Sequence, residues 1–228
     1  MGTTILLPSG TYGGKPYPDI LIAMERLSYS PEIEEAGKRK GMNVSNTATL
    51  GIGHEYEFIG NISYSQAVDL NTELGNATLS LVLGREFLRL LDKGVRSRKP
   101  VVCDGDGNYL KKDVVRKVFD DIVKVRIPWR GEWYDVKFNG TGNDMKITYQ
   151  IFEGNQWKYV TEDLEDCLRE DKTPGISFDA WLKDATRQGL PLPQWKKGKL
   201  CYWSPEDGRV AWFYAYSGGA GLGCGRNP

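Results

Sequence analysis

The sequence predicts an α+β protein in which a mainly helical N-terminal region precedes a region of short antiparallel strands. Two observations carry this prediction. Up to about residue 125, apolar residues recur at helical spacing. From residue 126 onward they alternate at strand spacing, between turns rich in Gly and Asn. We therefore treat 1–125 as a mainly helical N-terminal region packed on the core and 126–228 as the principal domain.

The overall charge of the chain is balanced. Lys and Arg together total 30 residues and Asp and Glu total 30, so the formal net charge is zero. A nucleic-acid-binding surface or a polybasic membrane anchor usually gives a net positive charge. No stretch of the sequence reaches the length of a transmembrane helix. We therefore expect neither nucleic acid binding nor membrane insertion.

The four cysteines are scattered, at Cys103, Cys167, Cys201 and Cys224, and form no CxxC pair. Two disulfides would use all four, but isolated cysteines in a chain of this length are more often buried free thiols. The sequence opens without the basic and apolar segments of a signal peptide. We therefore expect a protein that is made in the cytoplasm.

Helical periodicity and cap residues define the elements of the N-terminal region. Apolar residues from Ile20 to Leu27 follow i, i+3, i+4, i+7 spacing, and Ser30 followed by Pro31 is a typical helix start. The predicted elements are a strand over 3–7, a loop over 9–18, helices over 19–27, 31–41, 64–74, 79–91 and 112–125, a strand signal at 56–59 and a basic loop over 93–99.

Strand patterns dominate the principal domain. Ser177 is a natural N-cap for one clear helix, which Gly189 and Pro191 close. The predicted elements are strands over 132–138, 145–152 and 156–160, a short helix over 161–165, a helix over 177–186, and a hairpin of 200–203 with 209–216 joined by a turn at 204–208.

Two segments resemble ligand-binding motifs without matching them. Lys15 follows two glycines, as in a phosphate loop, but Pro16 comes next and the motif spacing is absent. The segment 104–108, Asp-Gly-Asp-Gly-Asn, begins like an EF-hand loop, but Tyr109 occupies the position of the required glycine. We predict a glycine turn there, with weak calcium binding at Asp104 and Asp106 as the alternative.

His54 is the only histidine, and no serine or cysteine lies in a recognisable nucleophile motif. We interpret His54 as a surface or turn residue. Because histidine-based metal sites need more than one imidazole, the sequence favours a protein without a metal or other cofactor.

The segment 210–228 separates into two sets of residues when it is read at a period of two. The adjacent glycines Gly218 and Gly219 interrupt the alternation once. The set expected on a buried face is small and apolar: Phe213, Ala215, Ser217, Ala220, Leu222 and Cys224. The opposite set has a composition like that of antibody paratopes: Trp212, Tyr214, Tyr216, Gly221, Gly223 and Gly225. The alternative interpretation is an ordinary glycine-rich tail.

A series of motifs runs in order through the second half of the chain. They are Pro128-Trp-Arg-Gly-Glu-Trp133, Leu164-Glu-Asp-Cys-Leu168, Thr173-Pro-Gly-Ile-Ser-Phe-Asp-Ala-Trp-Leu182, Gln188-Gly-Leu-Pro191 and Gly198-Lys-Leu-Cys-Tyr-Trp203. The end of the chain follows the pattern V-A-x-F-x-A-x-S-x-x-A-x-L-x-C-x-x-x-P at every constant position. With these motifs the chain resembles the variable proteins of diversity-generating retroelements, which occur in phages, archaeal viruses and cellular genomes.

This resemblance implies a C-type-lectin-like domain with irregular antiparallel strands and a diversified ligand-binding surface. In such elements, adenine-directed mutagenic reverse transcription rewrites codons of the variable region. The positions that correspond to variable ones in this sequence are Trp212, Tyr214, Tyr216, Gly218, Gly219, Gly221, Gly223, Gly225, Arg226 and Asn227.

The implied function is non-enzymatic binding of a variable macromolecular ligand, a protein or a cell surface, as in viral host attachment. Display on a virion would be the corresponding location. One alternative is a cysteine-based enzyme on the same fold, using Cys201 and Cys224. The other is a structural virion component without a ligand of its own.

Overall fold

The computed structural model describes residues 4–24, 30–42, 48–49, 58–59, 64–123, 130–140, 142–167, 176–193, 200–201, 210–216 and 219–225. This part of the chain has an α+β architecture, with helices and antiparallel sheets. The helices are α1 (Pro31–Arg39), α2 (Tyr64–Glu73), α3 (Leu81–Arg96), α4 (Lys112–Val123) and α5 (Phe178–Lys183). None of these helices combines the length and the apolar character that crossing a bilayer requires.

Thirteen short strands are distributed along the described part of the chain. The first six are β1 (Thr4–Leu7), β2 (Gly10–Tyr12), β3 (Lys15–Tyr17), β4 (Ile20–Ala23), β5 (Ala48–Thr49) and β6 (Phe58–Ile59). The remaining seven are β7 (Arg130–Asn139), β8 (Lys146–Glu153), β9 (Gln156–Asp163), β10 (Ile176–Ser177), β11 (Leu200–Cys201), β12 (Val210–Tyr216) and β13 (Gly219–Gly225).

A five-stranded antiparallel sheet forms the centre of the principal domain, in the order β13-β12-β7-β8-β9. Alternate residues of β7 and β8 are buried on one face of this sheet, as period-two burial requires. That face contributes Tyr134, Val136, Phe138, Ile147, Tyr149 and Ile151 to a hydrophobic cluster. Phe178, Trp181 and Leu182 of α5 belong to the same cluster.

Helix α3 connects this cluster to a second one in the N-terminal region. Its residues Leu81 and Leu88 pack in the cluster under the sheet, whereas Leu83, Phe87 and Leu91 pack with β1, β4 and α4. The helix starts at an N-cap, Ser80, whose Oγ accepts a hydrogen bond from the backbone N–H of Leu83 at 3.5 Å. Because one rigid helix belongs to both clusters, the two regions of the chain share a continuous interior.

Helix α3 approaches the sheet most closely at Gly84. A Cβ atom added to this glycine would lie 2.0 Å from Cε1 of Tyr134 on β7, well inside van der Waals contact. The absence of a side chain at Gly84 is therefore what allows the helix and the strand to pack at this distance.

The structure corrects two predictions in the first thirty residues. The segment 9–18 is a hairpin of β2 and β3 rather than a loop. The predicted helix over 19–27 is wrong, because Ile20–Ala23 forms strand β4, paired antiparallel with β1. Helical spacing in so short an apolar run is coincidental, and pairing with β1 overrides it. The alternation is clear in β4, where Leu21 is 58% exposed and Ile22 is 9% exposed.

Two further corrections concern the second half of the chain. Residues 161–163 extend strand β9, and 164–165 have no helical structure, so the predicted helix over 161–165 is wrong. In the predicted hairpin, Leu200–Cys201 pairs with β10 rather than with β12. Strand β12 pairs instead with β13 and β7. The helix predicted over 177–186 forms over the shorter range of α5.

Several other predictions are confirmed. Helix α1 begins at Pro31, and the Oγ of Ser30 accepts a hydrogen bond from the backbone N–H of Ile33 at 3.3 Å. The glycine turn after Cys103 is closed by a hydrogen bond from the N–H of Asp104 to the carbonyl oxygen of Asn108 at 2.9 Å. The two helices predicted on either side of residue 76 are present as α2 and α3. Helix α3 continues to Arg96, however, so the predicted loop over 93–99 is wrong for residues 93–96.

The close contact at Gly84 gives a test of the packing between α3 and the sheet. We expect Gly84→Ala to lower the free energy of unfolding by about 1–3 kcal/mol through overpacking, although alanine favours an isolated helix by about 1 kcal/mol. The measurement is chemical denaturation of the variant and of the double variant Gly84→Ala/Tyr134→Leu. Because leucine is smaller than tyrosine, the second substitution should recover part of the stability that Gly84→Ala loses. The effects of the two substitutions on the free energy of unfolding would then not be additive. A stabilising Gly84→Ala would contradict the close approach.

Candidate functional site

The backbone pairing of β12 with β13 groups the predicted ligand-binding positions. Trp212 lies opposite Gly223, Tyr214 opposite Gly221 and Tyr216 opposite Gly219. Directly opposite residues of an antiparallel pair share one face of the sheet. The alternate rows pair Ala211 with Cys224, Phe213 with Leu222 and Ala215 with Ala220. The register therefore separates an aromatic-and-glycine face from an apolar face.

Each aromatic residue of this row lies opposite a glycine. Glycine has no side chain, so the residue of β13 opposite each aromatic position contributes only backbone atoms. Among the described strands of the sheet, β13 stands at one end of the order.

Pairing with β7 relates this row to the rest of the sheet. Val210 pairs with Lys137 and Trp212 with Trp133, so two steps along β12 match four steps along β7. Strand β7 therefore has two extra residues at this irregularity. Because side chains alternate between the faces with a period of two, an even number of extra residues leaves matched positions on the same face. Trp212 therefore shares a face with the odd-numbered residues of β7, opposite the face of the buried Val136.

The ten predicted positions are divided between the described strands and the adjoining segments. Trp212, Tyr214 and Tyr216 belong to β12, and Gly219, Gly221, Gly223 and Gly225 belong to β13. Gly218, Arg226 and Asn227 lie outside the described residues, as do Ser217 and His54. A role of these positions in ligand binding stays a prediction.

A buried carboxylate lies on the odd-numbered face of β7. Asp135 is 1% exposed and accepts three side-chain hydrogen bonds. The Tyr64 hydroxyl donates to Oδ1 at 2.6 Å, and the Tyr159 hydroxyl and Gln150 Nε2 donate to Oδ2, each at 2.7 Å. The cross-strand contact between Gln150 Nε2 and the Tyr159 hydroxyl is 2.9 Å. We name these four residues the Asp135 cluster.

The irregularity between β7 and β12 explains why a charged residue can occupy this position. Asp135 lies within the stretch of β7 that has no partner on β12. Its backbone N–H instead donates to the carbonyl oxygen of Leu79, just before α3, at 2.8 Å. Buried backbone and carboxylate groups need such partners, and here the loop before α3, helix α2 and two strands supply them.

The tyrosines of the Asp135 cluster are held in their neutral, donating form. Burial and the hydrogen bond to Asp135 raise the pKa of Tyr64 far above its usual value of 10. For Tyr159, burial and then the same carboxylate raise the pKa to about 12. Tyr159 nevertheless remains 55% exposed, so its ring is accessible while its hydroxyl is fixed. The cluster thus orients one exposed aromatic ring on the sheet.

The β2–β3 hairpin attaches the N-terminal region to the other face of β9. Lys15 Nζ lies 2.7 Å from Glu162 Oε1, and the Tyr149 hydroxyl donates to Glu162 Oε2 at 3.0 Å. These hydrogen bonds, Lys15 first, lower the pKa of the Glu162 carboxyl below its usual value. At the tip of the hairpin, a Cβ on Gly13 would meet the backbone oxygen of Arg187 at 2.0 Å.

The cysteines and the Asp104 turn offer no assembled site among the described side chains, a set that does not include Cys201 and Cys224. Cys103 and Cys167 are free thiols. The Asp104 carboxylate accepts hydrogen bonds from the backbone N–H groups of Asp106 and Asn108, which stabilises the turn. Among the described residues, no group of three or more acidic, histidine or cysteine side chains could hold a metal ion.

Sequence reasoning missed the Asp135 cluster. One signal was present, because an aspartate within a strand of alternating aromatic and aliphatic residues is unusual. Its partners could not be identified in advance. Tyr64 lies 71 residues away in the sequence, and the interaction depends on where α2 packs.

No protein-family model matches the chain, and neither a curated protein nor a solved structure matches it.

Two buried tyrosines provide a matched test of the Asp135 cluster. We expect Tyr64→Phe to lower the free energy of unfolding by about 1–3 kcal/mol, because a buried carboxylate loses a donor. Tyr17 is 4% exposed, and its hydroxyl has no hydrogen-bond partner among the described residues. Tyr17→Phe should therefore leave stability unchanged or raise it. Chemical denaturation measures both, and equal effects in the two variants would refute the role assigned to Asp135.

Proposed function

We propose that the protein is a ligand-binding protein whose β12–β13 surface is diversified by a retroelement. The surface belongs to a domain of the C-type-lectin-like class. The observation that carries the proposal is an agreement between two sets of positions. Seven of the ten positions that vary in the resembled family lie in the described strands, and their pairing places them on one face in the β12–β13 register. The opposite face carries the constant positions Ala211, Phe213, Ala215, Ala220, Leu222 and Cys224, while the constant Val210 pairs with Gly225 at the end of the variable row.

This arrangement suits a protein whose binding residues change while its fold persists. Truncating a large core side chain costs about 2–5 kcal/mol, whereas surface substitutions usually change stability by less than about 0.5 kcal/mol. Sequence variation is therefore tolerated when it is confined to the face away from the core. The register of β12 and β13 supports this separation of roles.

The aromatic residues of the row are the proposed anchors. Trp and Tyr offer a large contact area with few rotatable bonds, so ordering them on binding costs little entropy. Arg226 would add a charged donor with a planar, forked geometry. The residue of β13 opposite each of the three aromatic positions is a glycine, which adds no side chain to the proposed binding face.

The Asp135 cluster supplies a constant neighbour to this variable row. The exposed ring of Tyr159 lies on the same face of the sheet, two strands beyond β7. A fixed aromatic residue would provide a contact that diversification leaves unaltered. We propose a macromolecular partner, a protein or a cell surface, and display of the protein on a virion as the setting.

Two combinatorial libraries test the separation of roles without knowledge of the ligand. The first randomises the ten proposed binding positions: Trp212, Tyr214, Tyr216, Gly218, Gly219, Gly221, Gly223, Gly225, Arg226 and Asn227. We expect most of its members to unfold cooperatively close to the parent melting temperature. The matched library randomises Phe213, Ala215, Ser217, Ala220, Leu222 and Cys224. We expect few folded members there, since Phe213→Ala alone should cost about 3–5 kcal/mol.

Thermal unfolding of individual clones from each library is the measurement. Comparable losses of folded clones in the two libraries would show that both faces support the core. That result would exclude the proposed binding surface.

The origin of the diversity has an independent test. Sequencing the DNA that flanks the gene should reveal a reverse transcriptase gene and a second copy of the segment encoding 210–228. The two copies should differ at adenines of the template copy. Flanking DNA without either feature would contradict diversification by a retroelement.

A further inference from the structure

A small cavity lies where the end of α3 meets the start of α4, remote in sequence from the β12–β13 surface. Its volume is about 70 Å³. One water molecule needs roughly 10–15 Å³ in this measure, so the space can hold several waters or one small ion. The apolar part of its lining includes Val102 and Val115, which are 1% and 2% exposed.

The wall of the cavity is rigid on its apolar side. A Cβ added at Gly94 would lie 2.6 Å from Val102 Cγ2 and 2.9 Å from Val115 Cγ1. Gly94 therefore packs directly against both valines, and the cavity remains beside this contact. A preformed space of this kind binds a ligand without first paying for rearrangement of the helices.

The polar part of the lining is cationic. Arg98, Lys99 and Lys112 line the cavity, and no aspartate or glutamate does. Across the described part of the chain, no acidic group lies within ion-pair distance of any of the three. Arg96 is a useful contrast, since it binds Asp92 and Asp179, each at 2.7 Å. The positive charge at the cavity is therefore local in a chain whose net charge is zero.

Backbone groups near the cavity also favour an anion. Lys112 is the first residue of the twelve-residue helix α4, whose N-terminal N–H groups carry partial positive charge, and Asp113 in the same turn does not line the cavity. Lys112 Nζ donates to the carbonyl oxygen of Ser97 at 3.1 Å, which holds this ammonium group at the junction of the two helices. Arg98 and Lys99 have no such acceptor for their side chains in the described structure.

We propose that this cavity binds a small tetrahedral oxyanion, a phosphate group, through Arg98, Lys99 and Lys112. A doubly charged oxyanion can accept hydrogen bonds from several cations at once, which a chloride ion cannot do with the same geometry. The guanidinium group of Arg98 would provide two parallel donors, and the lysines would provide point charges. This site is independent of the proposed β12–β13 binding surface and does not rest on it.

Isothermal titration calorimetry of the full chain with inorganic phosphate tests the proposal, with ionic strength kept constant by sodium chloride. We expect saturable binding of one phosphate per chain. The double variant Arg98→Gln/Lys99→Gln should weaken it at least tenfold. The control Arg116→Gln/Lys117→Gln removes the same charge from exposed positions of α4 outside the cavity, and it should change the affinity less than twofold.

Absence of saturable binding to the parent protein would overturn the proposal, and so would equal weakening in the two double variants. Amide NMR shifts provide a second readout that needs no variant. Phosphate should shift resonances of residues 98–102 and 112–115 and leave those of β8 and β9 unchanged. Shifts confined to other regions would also refute the site.

The source of the phosphate group can be distinguished with a second probe. Methyl phosphate carries the same group on an organic substituent. If both probes bind the parent protein, and only the double variant Arg98→Gln/Lys99→Gln loses this binding, the ligand is the terminal phosphate of a larger molecule. Binding of inorganic phosphate alone would indicate a free ion.

Discussion

The packing of α3 against β7 is the constraint on which most of this structure depends. Gly84 brings the helix backbone onto the ring of Tyr134, and the same helix contributes to both hydrophobic clusters. The N-terminal strands, α4, the sheet and α5 therefore all contact one rigid element. A change that moved α3 away from β7 would open both clusters together, because protein interiors tolerate little loss of packing density.

The irregular pairing of β7 with β12 has a second consequence. It frees Asp135 from the strand ladder and lets the Asp135 cluster bring together α2, two strands and the loop before α3. A buried carboxylate is tolerated only when its oxygens are satisfied, so the partners must keep their positions. Tyr159 is thereby fixed beside the sheet face that the β12–β13 register assigns to Trp212 and the other aromatic residues. A rigid neighbour of this kind would let the proposed variable row change without disturbing the sheet.

Prediction from the sequence succeeded where local signals and tertiary structure agree. Helix α4 and the strand pattern of β8 were apparent from periodicity alone, and Ser30 marked the start of α1. It failed where pairing between distant segments decides, as in β4, whose apolar spacing fits a helix but whose partner is β1. The alternation of residues in β12 was visible, but which residue of β13 lies opposite each one was not.

By itself the sequence determined the succession of elements in most of the chain, the balanced charge and the two alternating sets at its C-terminal end. Period-two and period-3.6 patterns are local, so they can be read without knowing what a segment packs against. Only the tertiary structure decided that α3 belongs to two clusters, that Asp135 is buried with three donors and that three cations line one cavity. These features arise from contacts between residues far apart in the chain, for which local periodicity carries no information.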